Sequence, residues 1–287
     1  MDKPEEEIWD IEISPRSNLL DLKLKDVWHY RDLLLLLVRR DFVAFYKQTI
    51  LGPIWFFVQP VITILMYTLI FGNLAGIPTD DVPKPLFYLA GTIIWNYFSD
   101  CLTKTSTVFK DNAAMLGKVY FPRLIMPLSI VLSNLVKFAV QLILFVGLLI
   151  FYSSKGASIA PNSIVLLFPL LILLIAGMGL GLGMIISAVT TKYRDVAFIV
   201  SFIVPLMMYT TTVIYPLSVV LQKYHKYSWF IKLNPVTAVI ETFRYGFLGK
   251  GSFSWGTLGY SVLVTAVILA IGTIIFNKVE KNFVDTV

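Results

Sequence analysis

The sequence is short of the residues that build metal and redox sites, because its 287 residues include one cysteine and two histidines. Cys101 alone excludes an internal disulfide, and His29 and His225 stand at no familiar zinc-site spacing with it. Charged residues make up 15% of the chain, whereas about a quarter is usual in a soluble domain. These shortages argue against a zinc site and against an ordinary soluble domain.

The sequence also lacks a loop that could cradle the phosphates of a nucleotide. Such a loop needs a glycine-rich backbone and a lysine followed by serine or threonine. Lys118 follows a glycine but precedes a valine, and Lys250 lies between two glycines. If ATP drives this protein, a different chain must hydrolyse it. We therefore expect no cofactor on this chain and no enzymatic activity of its own.

Hydrophobic residues make up 57% of the sequence, and they are concentrated in long runs. A helix needs about 20 mostly apolar residues to cross a bilayer. The runs of about that length lie at residues 54–74, 86–107, 124–152, 162–189, 197–215 and 257–277. The sequence therefore predicts an all-α transmembrane protein, with six membrane-spanning helices in a domain over residues 54–287.

The net charge of +6 could suggest a nucleic-acid partner, but the basic residues lie beside the apolar runs. Loops on the cytoplasmic side of a membrane carry an excess of lysine and arginine. The short loops after the second and fourth predicted spans hold more of them than the loops after the first and third. We therefore expect both termini in the cytoplasm and no nucleic-acid partner.

The residues before the first span divide into two parts. Residues 1–25 are acidic and predict a mobile, solvated tail. Within residues 26–53, a helix from Asp26 to about Lys47 places basic residues on one side and apolar residues on another. A basic amphipathic helix before a span fits the membrane interface, and an ordinary packed helix is the alternative. The basic residues at its end are Arg39, Arg40 and Lys47.

Two segments between the spans have distinct compositions. The predicted cytoplasmic loop at 108–123 is polar and basic. The segment 216–256 is rich in aromatic residues, with a helix start at Asn234-Pro235 and a stop at Gly249. It predicts two short outer helices that dip back into the membrane, and a soluble loop is the alternative. Glu241 and Arg244 are expected to form a structural pair there.

Polar residues and glycines inside the predicted spans suggest how the helices pack. Lys137 must face protein or water, in a structural role or in contact with substrate, and Asp100 is predicted to pair with Lys104 at i+4. The fourth span holds four alternating glycines between residues 177 and 183. Gly179 and Gly183 share one helix face, which favours close helix packing over ligand binding.

Four short motifs follow one another along the chain. They are Tyr46-Lys47-Gln48-Thr49 ahead of Trp55, Phe121-Pro122-Arg123, Tyr193-Arg194-Asp195-Val196, and Asn234-Pro235 followed by Glu241 and Arg244. Together they resemble the membrane subunit of type-2 ABC exporters, in the branch that exports O-antigen, capsule-like and teichoic-acid polysaccharides, and the resemblance covers about residues 25–280.

The resemblance implies a homodimer in the bacterial cytoplasmic (inner) membrane, with two copies of a separate ABC ATPase that binds ATP and magnesium. The substrate implied is a lipid-linked glycan. The N-terminal helix and the loop at 108–123 would contact the ATPase, although an ordinary basic loop would have the same charge. The coupling residues implied are Arg39, Arg40, Lys47, Lys110, Asp111, Lys118 and Arg123.

The resemblance also implies a channel lined by the first and fifth spans of both protomers. The implied wall residues are Phe56, Phe57, Tyr67, Tyr209 and Tyr215, and the implied outer gate consists of Asn234, Pro235, Glu241 and Arg244. Aromatic faces bind sugars, although helix packing alone also explains these side chains. Arginines at the entrance could grip the diphosphate of a lipid-linked glycan or anchor the helix on anionic lipid.

Three rival functions differ in the residues they require. A type-2 exporter of a drug or lipid would share the same frame, and the aromatic content favours a glycan instead. A membrane enzyme such as a lipid-linked sugar transferase would need clustered acidic residues or histidines. An ion-coupled carrier would need more than one intramembrane carboxylate, and Asp100 alone lies within a predicted span.

Overall fold

The computed structural model describes residues 24–47, 49–116, 121–223, 226 and 228–283. The predicted acidic tail at 1–25 therefore lies almost wholly outside the described residues, and so does Lys118. Every regular element in the described part is a helix, as predicted. The elements are α1 (Leu24–His29), α2 (Arg31–Tyr46), α3 (Trp55–Tyr67), α4 (Lys84–Ser106), α5 (Val108–Asp111), α6 (Ala113–Leu116), α7 (Ile125–Ser154), α8 (Phe168–Lys192), α9 (Val196–Met207), α10 (Leu217–Lys223), α11 (Ser228–Leu233), α12 (Pro235–Leu248) and α13 (Trp255–Phe283).

In the described part of the chain, four helical segments are long and apolar enough to cross a membrane. They contain the helix α3, the whole of α7, the helix α8 and most of α13, and they match the first, third, fourth and sixth predicted spans. Each contains 23 to 30 residues, so each spans about 30 Å or more at 1.5 Å per residue. Their bounds are Gly52–Leu74, Ile125–Ser154, Ser163–Lys192 and Trp255–Val279.

Helix α4 corresponds to the second predicted span and lies at the centre of the protein. It has 23 residues and packs against α7 on one side and α8 on another. Leu86, Phe87, Tyr88 and Leu89 are all buried at its start. A helix enclosed by other helices can carry more polar side chains than a lipid-facing one, because protein groups satisfy them. The count of six spans stays a prediction.

Helix α9 is shorter than the fifth predicted span, 197–215. With a 3-10 turn over Met208–Thr210 it reaches 15 residues, or about 22 Å. Pro205 removes a backbone donor near its end, and Thr211 is extended, with φ −114° and ψ 169°. The predicted boundary at residue 215 was therefore wrong, because the chain leaves the helix and turns back inside the protein.

The predicted single helix from Asp26 to Lys47 is divided at Tyr30 into α1 and α2. Val27 and Leu37 are buried in an apolar cluster with side chains of α5, α7 and α13. Helix α2 packs against α7, and the Ser133 hydroxyl donates to Oδ2 of Asp41 at 3.4 Å. One face of this segment thus packs on the protein, and its position at a membrane interface stays a prediction.

The described residues of the segment 216–256 include three short helices, α10 to α12, where two were predicted. The Asn234 side chain accepts a hydrogen bond from the Val236 backbone N–H at 3.1 Å, and Gly249 ends α12 with a left-handed φ of +69°. The predicted helix start and stop are confirmed. Because α12 is buried along most of its length, it belongs to the helical bundle and the soluble-loop alternative is wrong for it.

Candidate functional site

The ends of several helices meet around Arg244, which is 1% exposed. Its Nη1 donates to the Thr212 carbonyl oxygen, and its Nη2 donates to the carbonyl oxygens of Val213 at 2.9 Å and Phe87 at 3.3 Å. The guanidinium also lies 3.6 Å from the centre of the Phe87 ring. Arg244 therefore joins α12 to α4 and to the turn after α9.

Glu241 is the charge partner of Arg244 and is 2% exposed. Its Oε1 lies 3.4 Å from Nη1 of Arg244, which confirms the predicted pair. Its Oε2 accepts from the Ser252 backbone N–H at 3.1 Å. A buried ion pair is tolerated when further hydrogen bonds satisfy both partners, so this cluster fixes the loop after α12 as well.

The partners of this cluster could not be read from the sequence. Phe87 stands 157 positions from Arg244, and Thr212 and Val213 stand about 30 positions away. They contribute backbone carbonyl groups, which every residue carries, so no residue type marks them. Gly91 also adjoins the cluster, because a Cβ there would lie 2.8 Å from Nη2 of Arg244.

The predicted channel-wall residues fall into two groups. Phe57 and Tyr209 are 38% and 52% exposed, whereas Phe56 is 5% exposed and stacks on Phe42 at 5.7 Å between ring centres. The Tyr67 hydroxyl donates to Sδ of Met208 at 3.6 Å, and the Tyr215 hydroxyl donates to the Tyr209 carbonyl at 2.8 Å. The structure thus brings Tyr67, Tyr209 and Tyr215 together and places Phe56 inside the protomer.

Large apolar side chains cover the outward faces of α3 and α9. Surfaces of this kind suit lipid or another protein surface. The exposed side chains on and just after α3 are Phe57, Val61, Ile62, Leu65, Met66, Leu69, Ile70 and Leu74. Those on α9 and its final turn are Phe198, Ile199, Phe202, Ile203, Leu206 and Tyr209.

Helices that carry predicted coupling residues meet in one apolar cluster at the opposite end of the bundle. Val27 and Leu37 of the N-terminal helices share this cluster with Phe109 of α5, and Phe109 stacks on Phe276 of α13 with ring centres 4.7 Å apart. The N-terminal helices, α5 and Phe121 therefore contribute to one cluster. Arg39, Arg40, Lys47, Lys110 and Asp111 are exposed or half-buried around it, and Arg123 is half-buried.

Two of these charged residues, Arg40 and Asp111, form polar contacts with residues close in sequence. Nη2 of Arg40 lies 2.8 Å from Oδ1 of Asp41. The Thr107 hydroxyl donates to Oδ2 of Asp111 at 2.6 Å. Both contacts are at the surface, where an ion pair or hydrogen bond contributes little to stability, so these side chains can exchange partners when another protein binds.

The predicted pairing of Asp100 with Lys104 was wrong. Nζ of Lys137 on α7 lies 2.7 Å from Oδ2 of Asp100 on α4, and Lys104 instead donates to Oδ1 of Asn134 at 2.9 Å. The i+4 spacing allows a contact within one helix, but a neighbouring helix brings an unmatched lysine closer. Lys137 therefore has a structural partner that joins α4 to α7.

Removing the Asp100 carboxylate is expected to destabilise the protein more than removing both charges. Asp100→Asn leaves the Lys137 ammonium without its carboxylate between two apolar helices, which costs roughly 1–3 kcal/mol. The double variant Asp100→Asn with Lys137→Met removes that charge and should recover part of the loss. Thermal unfolding of the three purified proteins in detergent measures it, and a double variant no more stable than the single one contradicts a stabilising pair.

Comparison with known proteins agrees with this architecture. Residues 32–248 match the ABC-2 type transporter family. The O-antigen export system permease protein RfbA of Myxococcus xanthus is 29% identical over 265 residues, which are 92% of this chain and 98% of that protein. A protein of the same name from Klebsiella pneumoniae is 27% identical over 276 residues, covering 93% of this chain and 99% of that protein.

A more distant relative is the polysialic acid transport protein KpsM of Escherichia coli. It is 23% identical over 236 residues, which are 80% of this chain and 87% of that protein. The family match covers well over half of the chain and includes α4, α7, α8, α9 and the buried Glu241–Arg244 pair. This chain therefore belongs to the ABC-2 type transporter family.

Proposed function

We propose that this chain is the transmembrane subunit of an ATP-driven exporter that moves a lipid-linked polysaccharide across the bacterial cytoplasmic membrane. The observation that carries the proposal is the similarity, along nearly the whole chain, to permeases named for O-antigen export. The alignment with the Myxococcus xanthus protein covers 92% of this chain and 98% of that protein. The chain supplies the pathway and breaks no covalent bond in the glycan.

The working complex in this proposal contains two copies of this chain and two copies of a separate ABC ATPase that holds ATP and magnesium. Two observations support it. The sequence has no phosphate-cradling loop with the required lysine and serine or threonine. The outward faces of α3 and α9 expose side chains such as Ile62, Leu65, Phe198 and Phe202, and a second copy would cover part of that surface.

The transport path would run between the protomers, along α3 and α9. Tyr67, Tyr209 and Tyr215 lie near one another there, and aromatic rings give a sugar chain apolar faces and hydroxyl partners. The cluster around Arg244 anchors the end of α9 to α4 and α12. Asn234, Pro235, Glu241 and Arg244 would thus hold the outer end of the path in place.

The ATPase would dock on the N-terminal helices and on α5, with both termini in the cytoplasm. The shared apolar cluster of Val27, Leu37 and Phe109 supports this assignment, because motion of α2 would reach α5 and α13 through that cluster. Lys110 and Arg39 are exposed beside it. Cationic side chains around an apolar contact suit an acidic partner surface.

Charge reversal at Lys110 is expected to weaken binding of the ATPase. Lys110→Glu places a carboxylate where the partner would meet a cation, and recovery of the ATPase in a pull-down should fall roughly three- to tenfold. Lys155→Glu is the matched control, because Lys155 is an exposed lysine at the far end of α7. Equal recovery with both variants and the wild type would remove α5 from the docking surface.

Arg39 and Arg40 have two possible roles near the entrance. A bidentate grip on the diphosphate of a lipid-linked glycan would require the Arg40 guanidinium to leave Asp41. Anchoring α2 on anionic lipid requires only positive charge. Arg39→Lys with Arg40→Lys separates the roles, since export should fall under the first and persist under the second.

The proposed function is tested by deleting the gene in the organism that carries it and following its glycan. Loss of glycan from the cell surface, with lipid-linked glycan accumulating inside the cytoplasmic membrane, is the expected result. Restoration by the intact gene is the control. Normal surface glycan in the deletion strain would reject this function, and altered sensitivity to drugs or altered lipid export would favour the alternative exporter.

A further inference from the structure

Helix α4 is enclosed by neighbouring helices along most of its surface, and the part that stays accessible is polar. Between Leu86 and Ser106, every residue that is not buried carries a polar side chain. These residues are Asn96, Ser99, Asp100, Thr103 and Lys104. At 3.6 residues per turn they fall within about 140° of one another around the helix, so they form one stripe, which we call the α4 stripe.

The neighbouring helix α7 has the opposite kind of surface. None of its exposed residues between positions 125 and 150 carries a polar side chain, and they are Val136, Ala139, Ile143, Val146, Gly147 and Ile150. Such a surface suits lipid tails. Polar side chains in membrane helices instead face the interior of the bundle or a water-filled cavity. The α4 stripe therefore differs from a lipid-facing surface.

The contact between α4 and α7 gives the depth of the stripe. Asp100 pairs with Lys137 at 2.7 Å, and Lys137 lies about 18 Å from the start of α7 at 1.5 Å per residue. Helix α7 has 30 residues, which makes it about 45 Å long. Because the hydrocarbon core of a bilayer is about 30 Å thick, the pair lies at the level of the lipid tails.

Three members of the stripe keep unpaired hydrogen-bonding groups. The side chains of Asn96, Ser99 and Thr103 form no hydrogen bond with another described residue, and their polar atoms are not enclosed. By contrast, the hydroxyl of Thr92 on the same helix donates to the Tyr88 carbonyl at 2.9 Å. An unpaired polar group against lipid tails is strongly unfavourable, whereas water or a polar substrate satisfies it. The α4 stripe therefore faces a polar medium.

The stripe also lies beside the proposed transport path, because both α3 and α9 pack on α4. The exposed side chains of α3 and α9 are mostly aliphatic or aromatic, so they offer few partners to sugar hydroxyls. The stripe supplies an amide, two hydroxyls, a carboxylate and an ammonium group. Hydroxyl groups both donate and accept hydrogen bonds, so a hydroxyl-rich chain can use all of these groups.

We propose that the α4 stripe is a hydrated wall of the transport path and that it binds hydroxyl groups of the sugar chain during export. The inference rests on the proposed function, since it takes the exported glycan to be the substrate. It adds a third helix to the wall formed by α3 and α9. The stripe occupies the half of α4 nearer α5.

Hydration of the stripe is measured by the reactivity of single cysteines. Cys101 is the only cysteine in the sequence and is buried, so Cys101→Ala gives a thiol-free background, and the unaltered chain is a second background. Asn96→Cys, Ser99→Cys and Thr103→Cys are then labelled with a charged, membrane-impermeant maleimide. Open membrane fragments from the native organism keep the whole complex and expose both faces.

Val136→Cys and Ala139→Cys are the matched controls, because these exposed residues flank Lys137 on α7 and lie at the same depth. The stripe thiols should react at least tenfold faster than the controls. The reagent requires water, and the reactive thiolate forms poorly in apolar surroundings. Stripe thiols that react no faster than the controls would show that lipid or protein covers the stripe and would overturn the proposal.

Contact with the sugar chain is measured as protection from the same reagent. Membranes are prepared from cells that make the lipid-linked glycan and from cells in which its synthesis is blocked. Ser99→Cys should react at least threefold more slowly when the glycan is present, and Val136→Cys should react equally in both. Equal rates for all three stripe cysteines with and without glycan would rule out binding of the sugar chain.

The gene deletion described above distinguishes this failure from failure of the proposed function. If the intact gene restores surface glycan but the stripe thiols are unreactive, the wall assignment is wrong and the exporter assignment stands. If the stripe thiols react but the deletion leaves surface glycan unchanged, the exporter assignment is wrong, and the sugar chain is no longer the occupant of the stripe.

Discussion

Replacing Arg244 by methionine is expected to destabilise the protein strongly. The substitution leaves the carboxylate of Glu241 buried without its counter-ion, and removing one partner of a buried pair costs about 3–5 kcal/mol. The carbonyl groups of Thr212 and Val213 lose their donor at the same time. For a chain of this size, the midpoint of thermal unfolding in detergent should fall by about 10 °C or more.

The control for this prediction is Arg39→Met, which removes an exposed arginine and should change stability by no more than about 0.5 kcal/mol. The double variant Glu241→Gln with Arg244→Met should be more stable than Arg244→Met alone, because it removes the buried charge. An Arg244→Met protein that unfolds at the wild-type temperature would show that the cluster does not hold these helix ends together.

Replacing Gly183 by leucine is expected to separate α4 from α8. A Cβ at Gly183 would lie 2.5 Å from Cβ of Thr105 and 3.1 Å from the Leu102 carbonyl oxygen. The second distance involves backbone, which cannot move aside by a change of rotamer. Forcing even one methyl group into a packed core costs about 1–3 kcal/mol, and leucine adds three more carbons. Size-exclusion chromatography should therefore give little or no monodisperse protein.

Gly147→Leu provides the matched control on a neighbouring long helix. A Cβ at Gly147 has no atom within 4 Å, and the residue is exposed on α7, so this variant should be recovered at the wild-type yield. Gly183→Ala should give an intermediate yield. Normal recovery of Gly183→Leu would mean that α4 and α8 can pack at a larger separation than the structure shows.

The four alternating glycines of α8 show which part of helix packing a sequence pattern can predict. The prediction that Gly179 and Gly183 allow close helix approach is confirmed, since both face α4 and a Cβ at Gly179 would lie 2.7 Å from Cβ of Cys101. The alternate glycines, Gly177 and Gly181, face α13 in the same way. The 3.6-residue period predicted that two faces exist, but not that a helix covers each of them.

For the charged residues inside the bundle, too, the sequence predicts local contacts but not contacts between helices. The i+3 spacing of Glu241 and Arg244 predicted a pair that the structure confirms, because both residues lie on one helix and their distance is local. The i+4 spacing of Asp100 and Lys104 predicted a pair that does not form. Lys137 on another helix pairs with Asp100 instead. The positions of neighbouring helices depend on the packing of the whole bundle.

The sequence alone determined that this is a helical membrane protein, where its long apolar helices lie, and where α12 begins and ends. These properties depend on hydrophobic length and on capping residues such as Asn234, which act within a few positions. Only the tertiary structure decided that α9 ends before the predicted boundary of its span. It also decided that Arg244 donates hydrogen bonds to backbone carbonyls of α4 and of the turn after α9, and which side of α4 stays accessible. Each of these depends on groups distant in sequence, which no local pattern records.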